Sequence, residues 1–258
     1  DKPYRTDRLI VGWSTECEAL TREFFPNLSL PGTDEYAADK DGVPNWRKRY
    51  KIPTTSVEME QEKIIPLQKA DGKTFSDTSP VLISADKSNF QELPPGKPKD
   101  PWKGPEDLSG KFFLANDDSF LYIRIEVRDD RHVDPPADPA QMWKADSVQI
   151  GIAAYDGKKN LECGLALRGS ETLFAFWQSP VKDADKRIER SALQDGDRII
   201  YSIRVPLEMF GLKPGDLCGV SAVANDADAG ERKGFLEFGT GIGLSKDPES
   251  YNHYRLAR

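Results

Sequence analysis

The chain has 258 residues, of which 38% are hydrophobic and 31% are charged, and its formal net charge at pH 7 is −7. An acidic chain of this kind lacks the basic face that nucleic-acid phosphates require, so we predict no nucleic-acid partner. It contains no run of about 18 consecutive apolar residues, so we predict no membrane span.

The first 75 residues differ from the remainder of the chain. They contain turn-forming residues such as Asp41–Pro44 and a basic stretch at Arg47–Arg49. This pattern predicts strands and loops in residues 1–75, which either extend the domain that follows or are the remnant of a neighbouring domain. Residues 76–258 are predicted to form the main domain.

Short apolar runs predict β-strands in the main domain. The clearest case is Leu121–Val127, in which apolar residues occupy every second position, so that one face of the strand lies in a core. Further apolar and aromatic runs predict strands at 148–152, 172–177, 198–205 and 217–224.

Turn and helix signals in the main domain are short. Asp195–Asp197 has a central glycine and predicts a hairpin turn, while Pro206–Gly211 predicts a single helical turn closed by its glycine. No long amphipathic helix is predicted after residue 76. The sequence therefore predicts an all-β fold, an antiparallel β-sandwich of the jelly-roll or immunoglobulin-like two-sheet type with few short helices.

The three cysteines are Cys17, Cys163 and Cys218, and no Cys-x-x-Cys pair typical of a zinc site occurs. Cys163 and Cys218 lie in strand-like segments, where they either form a disulfide or remain buried free thiols. With His132 and His253 as the two histidines, a histidine-rich metal site is not expected.

Acidic residues and one asparagine gather where predicted strands begin and end. Asp129 and Asp130 follow one strand, Asp146 precedes the next, and Asn225 and Asp226 end a third. Calcium prefers several oxygen ligands of this kind, so these five residues are predicted to hold a structural calcium ion. The alternative is turn chemistry, in which the same side chains bond the backbone at strand ends.

The order of several motifs resembles the family 9 carbohydrate-binding modules, a group of DOMON-like β-sandwiches. The motifs are Trp102–Gly110, Leu121–Ile123, Val127–Asp130, Trp143–Gln149, Tyr201–Pro206, Asn225–Asp228 and Tyr254–Leu256. The resemblance covers roughly residues 76–258. It implies a non-catalytic module that binds polysaccharides or oligosaccharides, attached to other domains of a larger secreted, periplasmic or cell-surface protein that processes polysaccharides.

The resemblance also implies a site in which a sugar lies between two tryptophans. Trp143 matches one of them, and Gln149 stands where the family has a sugar-binding glutamate. The loop that should carry the second tryptophan reads Gly243–Pro248 and contains none. Three other aromatic residues are candidates to complete the site, with core packing as the alternative for each: Trp177, Tyr251 and Tyr254.

Two other functions stay open. The missing second tryptophan favours a structural or spacer sandwich that has lost sugar binding. A glycoside hydrolase or lyase subunit is the third alternative, because acids are abundant in the chain. No carboxylate pair stands out by context, and neither a Gly-x-Ser-x-Gly elbow nor a phosphate-binding glycine-rich loop occurs. The chain is therefore predicted not to be an enzyme.

Overall fold

The computed structural model describes residues 65–66, 68–69, 80–93, 101–155, 157–228, 231–244 and 246–258. The predicted N-terminal segment 1–75 therefore lies outside the described residues, except for two short strands. Cys17 lies outside them as well. The proposed division of the chain at residue 75 stays a prediction.

The described residues form two β-sheets with short helical turns, which confirms the all-β sandwich. The strands are β1 (Ile65–Pro66), β2 (Gln68–Lys69), β3 (Leu82–Ser84), β4 (Phe90–Glu92), β5 (Leu108–Asn116), β6 (Phe120–Asp129), β7 (Ser147–Ala154), β8 (Asn160–Arg168), β9 (Glu171–Gln178), β10 (Glu189–Asp195), β11 (Arg198–Pro206), β12 (Leu217–Asp228), β13 (Glu231–Phe238) and β14 (Asn252–Arg255). The helical turns are α1 (Ala184–Arg187) and the 3₁₀ turns Lys87–Asn89, Pro139–Lys144, Leu207–Met209 and Pro248–Ser250.

Each sheet is built around long antiparallel strands. The eight-stranded sheet has the order β1–β14–β12–β7–β8–β9, with β13 and β4 also joined to it through β12. The six-stranded sheet has the order β10–β11–β6–β5–β2, with β3 also paired to β5. The two short early strands are the exceptions to the antiparallel pattern, because β1 pairs in parallel with β14 and β2 pairs in parallel with β5.

The main core lies between the two sheets and follows from the alternation of side chains along each strand. In β7, Val148, Ile150 and Ile152 face the core, while Gln149 and Gly151 face the opposite side. Removal of apolar surface from water stabilises such a core by about 25 cal/mol per Å². The face of the eight-stranded sheet that points away from this core is called the outer face below.

The two described cysteines are free thiols in the core. Cys163 on β8 and Cys218 on β12 are both fully buried, and they do not form a disulfide. Burial raises the pKa of both thiols, that of Cys218 to about 12. Both groups therefore stay protonated and behave as small apolar side chains.

The turn signals of the sequence also appear in the structure. Gly196 links β10 to β11 with a φ of 62°, and Gly211 follows the 3₁₀ turn Leu207–Met209 with a φ of 74°. Positive φ angles of this size favour glycine, which explains why these two residues end their elements. In the part of the chain that the structure describes, no helix is long and apolar enough to cross a membrane.

Candidate functional site

The outer face of the eight-stranded sheet has a floor of small residues. A Cβ atom at Gly151 would lie 2.5 Å from the hydroxyl oxygen of Tyr251, and one at Gly164 would lie 2.5 Å from Cη2 of Trp177. Contacts below 3.0 Å are essentially never made by real Cβ atoms, so both positions require glycine. As a result, two aromatic rings lie directly on the backbone of the sheet.

Tyr251 belongs to a small apolar cluster on one side of this face. It is 3% exposed and packs with Ala153, Val223, Phe235 and Ile242. Burial raises the pKa of the Tyr251 phenol, and the Glu162 carboxylate raises it further. The packing of this ring makes one side of the outer face apolar.

The 3₁₀ turn Pro139–Lys144 lies on the other side of the outer face and carries Trp143. Two features hold this turn in place. Its own Met142 is fully buried, and the indole of Trp177 donates a hydrogen bond to the carbonyl of Ala140 at 3.2 Å. Trp143 itself is half-buried. Trp177 thus supports the turn, and the turn presents Trp143 at the edge of the outer face.

A continuous chain of polar side chains crosses the outer face between these two regions. It consists of Glu162, Lys246, Gln149, Asn225 and Arg232, and we call it the polar row. The ammonium of Lys246 contacts the Glu162 carboxylate and lies 3.2 Å from Oε1 of Gln149. Nε2 of Gln149 donates to Oδ1 of Asn225 at 3.3 Å, and the same oxygen accepts a hydrogen bond from Arg232.

Arg232 places a positive charge beside Trp143. Its guanidinium carbon lies 5.8 Å from the centre of the Trp143 ring and 4.7 Å from that of Phe235. Burial lowers the pKa of Arg232 to about 10, so the group remains charged at neutral pH. Lys144 brings a second cation to within 5.3 Å of the Trp143 ring centre.

A second polar site, the acidic cluster, lies where β5, β6, β7 and β12 begin or end. Its members are Asp107, Asp129, Asp146, Asp226 and Asp228. The buried ammonium of Lys233 lies inside this cluster. Its Nζ is 2.6 Å from Asp107, 3.0 Å from Asp228 and 3.4 Å from Asp226. Burial alone would lower the pKa of Lys233, but hydrogen bonds to Asp107 and Asp228 raise it above its usual value.

Asp129 and Asp146 form the other half of the acidic cluster. Together with His132 they can bring three ligand atoms within 4.8 Å of one another. Burial first, and the Asp129 charge second, raise the pKa of Asp146 to about 9, and burial also raises the pKa of Asp129. Because the half-buried Asp129 and the buried Asp146 lie close together, their carboxylates require a shared proton or a cation between them. This pair therefore fits a hard cation better than Asp107, Asp226 and Asp228, which already contact Lys233.

The family of the chain follows from a comparison with known protein families. The model of the carbohydrate family 9 binding domain-like proteins matches residues 88–257. The chain belongs to this family. No curated protein sequence matches this family 9 domain.

Two solved structures of family 9 carbohydrate-binding modules, both from Caldicellulosiruptor kristjanssonii, are similar to this family 9 domain. The first, in complex with cellotriose, is 16% identical and has a TM-score of 0.51, with 75% of this chain and 89% of that chain covered. The second, in complex with glucose, is 18% identical and has a TM-score of 0.52, with 75% of this chain and 96% of that chain covered. At these identities the similarity shows the fold.

Four of the five predicted sugar-binding residues lie on the outer face of the family 9 domain. Gln149 is part of the polar row, and Trp143 lies beside it. Trp177 and Tyr251 support the regions on either side of the row. Tyr254 is placed differently, because its ring is fully buried in the core between the two sheets. We therefore do not include Tyr254 in the site.

The predicted metal ligands are also divided by the structure. Asp129, Asp146 and Asp226 lie in the acidic cluster, and the exposed Asp130 comes within 4.8 Å of two of its members. Asn225 instead belongs to the polar row, and its amide donates to the hydroxyl of Ser147 at 2.9 Å.

Three residues of the polar row were not identified from the sequence. They are Glu162, Arg232 and Lys246. Lys246 lies within the Gly243–Pro248 loop, which contains no tryptophan. Because the family resemblance assigns this loop to the site, the position of Lys246 in it could have identified the residue from the sequence. Arg232 carried no signal of its own, because its role depends on the pairing of β13 with β12.

Proposed function

We propose that this family 9 domain is a non-catalytic carbohydrate-binding module that holds its sugar on the outer face of the eight-stranded sheet. The single observation that carries this proposal is the half-exposed ring of Trp143 beside the polar row. A sugar ring has an apolar face and a polar edge, and this arrangement offers a partner for each.

Each part of the site has a role in this proposal. Trp143 supplies a rigid surface for the apolar face of the sugar, while Arg232 and Lys246 donate hydrogen bonds to hydroxyl oxygens. Gln149 and Glu162 accept hydrogen bonds once Lys246 moves aside. The side chain of Lys246 is 54% exposed and can move into solvent, whereas that of Glu162 is 11% exposed, so sugar hydroxyls must replace the ammonium as hydrogen-bond donors to this carboxylate.

The spacing of carboxylates on the outer face supports a non-catalytic role. Glycoside hydrolysis uses two carboxyl groups about 5–9.5 Å apart. Glu162 on β8 and Glu237 on β13 are separated by three strand spacings, which amount to roughly 14 Å. Both are also engaged, Glu162 by Lys246 and Glu237 by the amide of Gln91 at 3.5 Å.

Isothermal titration with a panel of soluble glycans tests the proposal. Trp143→Ala is expected to weaken binding about tenfold or more, since truncation of a central aromatic contact has effects of this size. Tyr155→Ala is the matched control, because Tyr155 is an exposed aromatic at the far end of β7. Equal affinities for the wild type and Trp143→Ala would refute the site, and no binding to any glycan of the panel would refute the function.

The second candidate function is a structural or spacer sandwich without sugar binding. The observation that favours it is the internal pairing of the polar row, in which Lys246 already satisfies Glu162 and Gln149. The same titration separates the two functions. A spacer would bind no glycan, and Lys246→Ala would not create binding.

We also propose that the domain holds a structural calcium ion between Asp129 and Asp146. The proposal is supported by the closeness of these two carboxylates and by the oxygen ligands that calcium prefers. Asp146 is already oriented, because it accepts backbone hydrogen bonds from Val133 and from Ala227, the latter at 2.8 Å. Thermal melts with calcium and with a chelator test this, and equal midpoints would refute it.

The location of the protein is a proposal that rests on the family alone. We propose that the domain is part of a larger secreted, periplasmic or cell-surface protein that processes polysaccharides. Fractionation of cells that produce the protein at its natural level is the test. Recovery of the protein entirely in the cytosolic fraction would refute this proposal.

A further inference from the structure

Arg232 carries a positive charge that the described part of the protein does not balance. Several other arginines on the strands pair with carboxylates, as Arg198 does with Glu126 and Arg204 does with Glu189. Arg232 makes no ion pair with any carboxylate of the described residues, and its Nε is buried without a hydrogen-bond partner. The contacts of its guanidinium are the oxygen of Asn225 and the two aromatic rings.

Such an arrangement is unfavourable for folding. Burial of an unpaired charge costs free energy, and removal of a carboxylate partner from a buried pair has a similar cost. The neighbouring rings of Trp143 and Phe235 offset part of this cost through cation–π contacts. A guanidinium with an open edge is well suited to bind a planar carboxylate or another oxoanion through two hydrogen bonds.

The charges around Trp143 point in the same direction. Lys144 and Arg232 both lie close to its ring, whereas the charge of Lys246 is balanced by Glu162. Three described acids lie further from this ring: Glu162 is paired with Lys246, Glu237 accepts a hydrogen bond from Gln91, and Asp247 accepts hydrogen bonds from Glu249 and Ser250. In a chain with a net charge of −7, the surroundings of the Trp143 ring are therefore positively charged.

We propose that the sugar bound on the outer face is anionic, with its acidic group paired to Arg232 and its ring stacked on Trp143. This inference rests on the proposed function as a carbohydrate-binding module. The ligand class is a sugar that carries an oxoanion, either the carboxylate of a uronic acid or a sulfate ester. Asn225 orients the guanidinium through the hydrogen bond that its oxygen accepts.

The experiment is a calorimetric titration of the whole chain with matched neutral and acidic sugars. The pairs are glucose with glucuronate and galactose with galacturonate, each as the methyl glycoside, and glucose 6-sulfate is the sulfate arm. We expect at least one acidic sugar to bind about tenfold or more tighter than its neutral counterpart, because hydrogen bonds between charged groups have effects of this size. This preference should fall as salt is added. The tighter of the uronate and sulfate arms identifies the source of the charge.

Three variants assign the preference to Arg232. Arg232→Gln keeps a hydrogen-bond donor for the sugar hydroxyls but removes the charge, so we expect the variant to bind the acidic and the neutral sugar of each pair equally. Arg232→Lys keeps the charge and should retain part of the preference. Arg204→Gln is the control, because Arg204 also stacks on an aromatic ring, 3.5 Å from the centre of Phe120, but on the six-stranded sheet.

Thermal melting distinguishes a binding role from a structural one. If Arg232 serves the ligand, Arg232→Gln should leave the melting midpoint of the free protein unchanged or raise it, because an unpaired buried charge is removed. A lowered midpoint with an unchanged preference would overturn the inference. Equal binding of neutral and acidic sugars would also overturn it while leaving the proposed function intact, whereas no binding of any glycan would refute both.

Discussion

The substitution Lys233→Met removes the ammonium from the acidic cluster while it keeps a side chain of similar length. The side chain of Lys233 is 2% exposed, and its Nζ lies within 3.4 Å of three carboxylates. Asp107 and Asp226 are almost fully buried as well, so water cannot replace the ammonium. The variant would leave these charges facing one another in the interior.

The expected cost follows from this geometry. Removal of one partner from a buried ion pair costs about 3–5 kcal/mol, and three carboxylates share this ammonium, so we expect the upper part of that range. The free energy of unfolding of a domain is typically about 5–15 kcal/mol, so the variant would retain only a small stability. The loss should be smaller in acid. Burial raises the pKa of Asp226 to about 8 even beside Lys233. A carboxyl group with a raised pKa stabilises the fold at low pH, and this stabilisation is lost as the pH rises through the raised pKa.

Denaturant unfolding at pH 5 and pH 8 measures this loss for the wild type, for Lys233→Met and for the control Lys111→Met. Lys111 lies on β5 and is exposed, so its substitution should change the stability by no more than about 0.5 kcal/mol. The reasoning would be refuted if Lys233→Met and Lys111→Met were equally stable at pH 8. It would also be refuted if the loss for Lys233→Met were larger at pH 5 than at pH 8.

Three further predictions follow from the same structure. In calcium-free protein, the free energy of unfolding should fall as the pH rises from about 4 to about 9, because the raised pKa of Asp146 favours its protonated form in the fold. Added calcium should reduce this fall, and Asp129→Asn should abolish the calcium response in thermal melts. Gly164→Ala should displace Trp177, cost about 1–3 kcal/mol and alter the near-ultraviolet circular dichroism, and an unchanged spectrum would contradict the ring position. The two buried thiols should react with a thiol reagent only when the protein unfolds, so rapid reaction of both in the native state of a variant without Cys17 would contradict their burial.

The strands of the sandwich could be predicted because each is encoded by its own residues. The alternation in Leu121–Val127 became β6, and the run at 148–152 became β7. The alternation of side chains along a strand could also have been used to test the predicted metal site. Asn225 and Asp226 are neighbours on β12 and point to opposite faces, so they could not both be ligands of one metal ion on a regular strand.

The polar row could not be predicted, because it depends on the pairing of distant strands. Gln149 and Asn225 are 76 positions apart, and they meet because β7 pairs with β12. Arg232 reaches them through β13, whose pairing with β12 shifts at a bulge between Asp226 and Ala227. Strand order and register of this kind are properties of the assembled sheet, and no local pattern in the sequence encodes them.

The direction of the polar row sets a limit on the length of the ligand it can recognise. Its residues on β8, β7, β12 and β13 lie on four adjacent strands, so the row crosses the strands rather than following one of them. With about 4.8 Å between neighbouring strands, the row is roughly 14 Å long. Affinity for a series of oligosaccharides should therefore increase with each added sugar until the chain spans the row, and longer chains should gain nothing more.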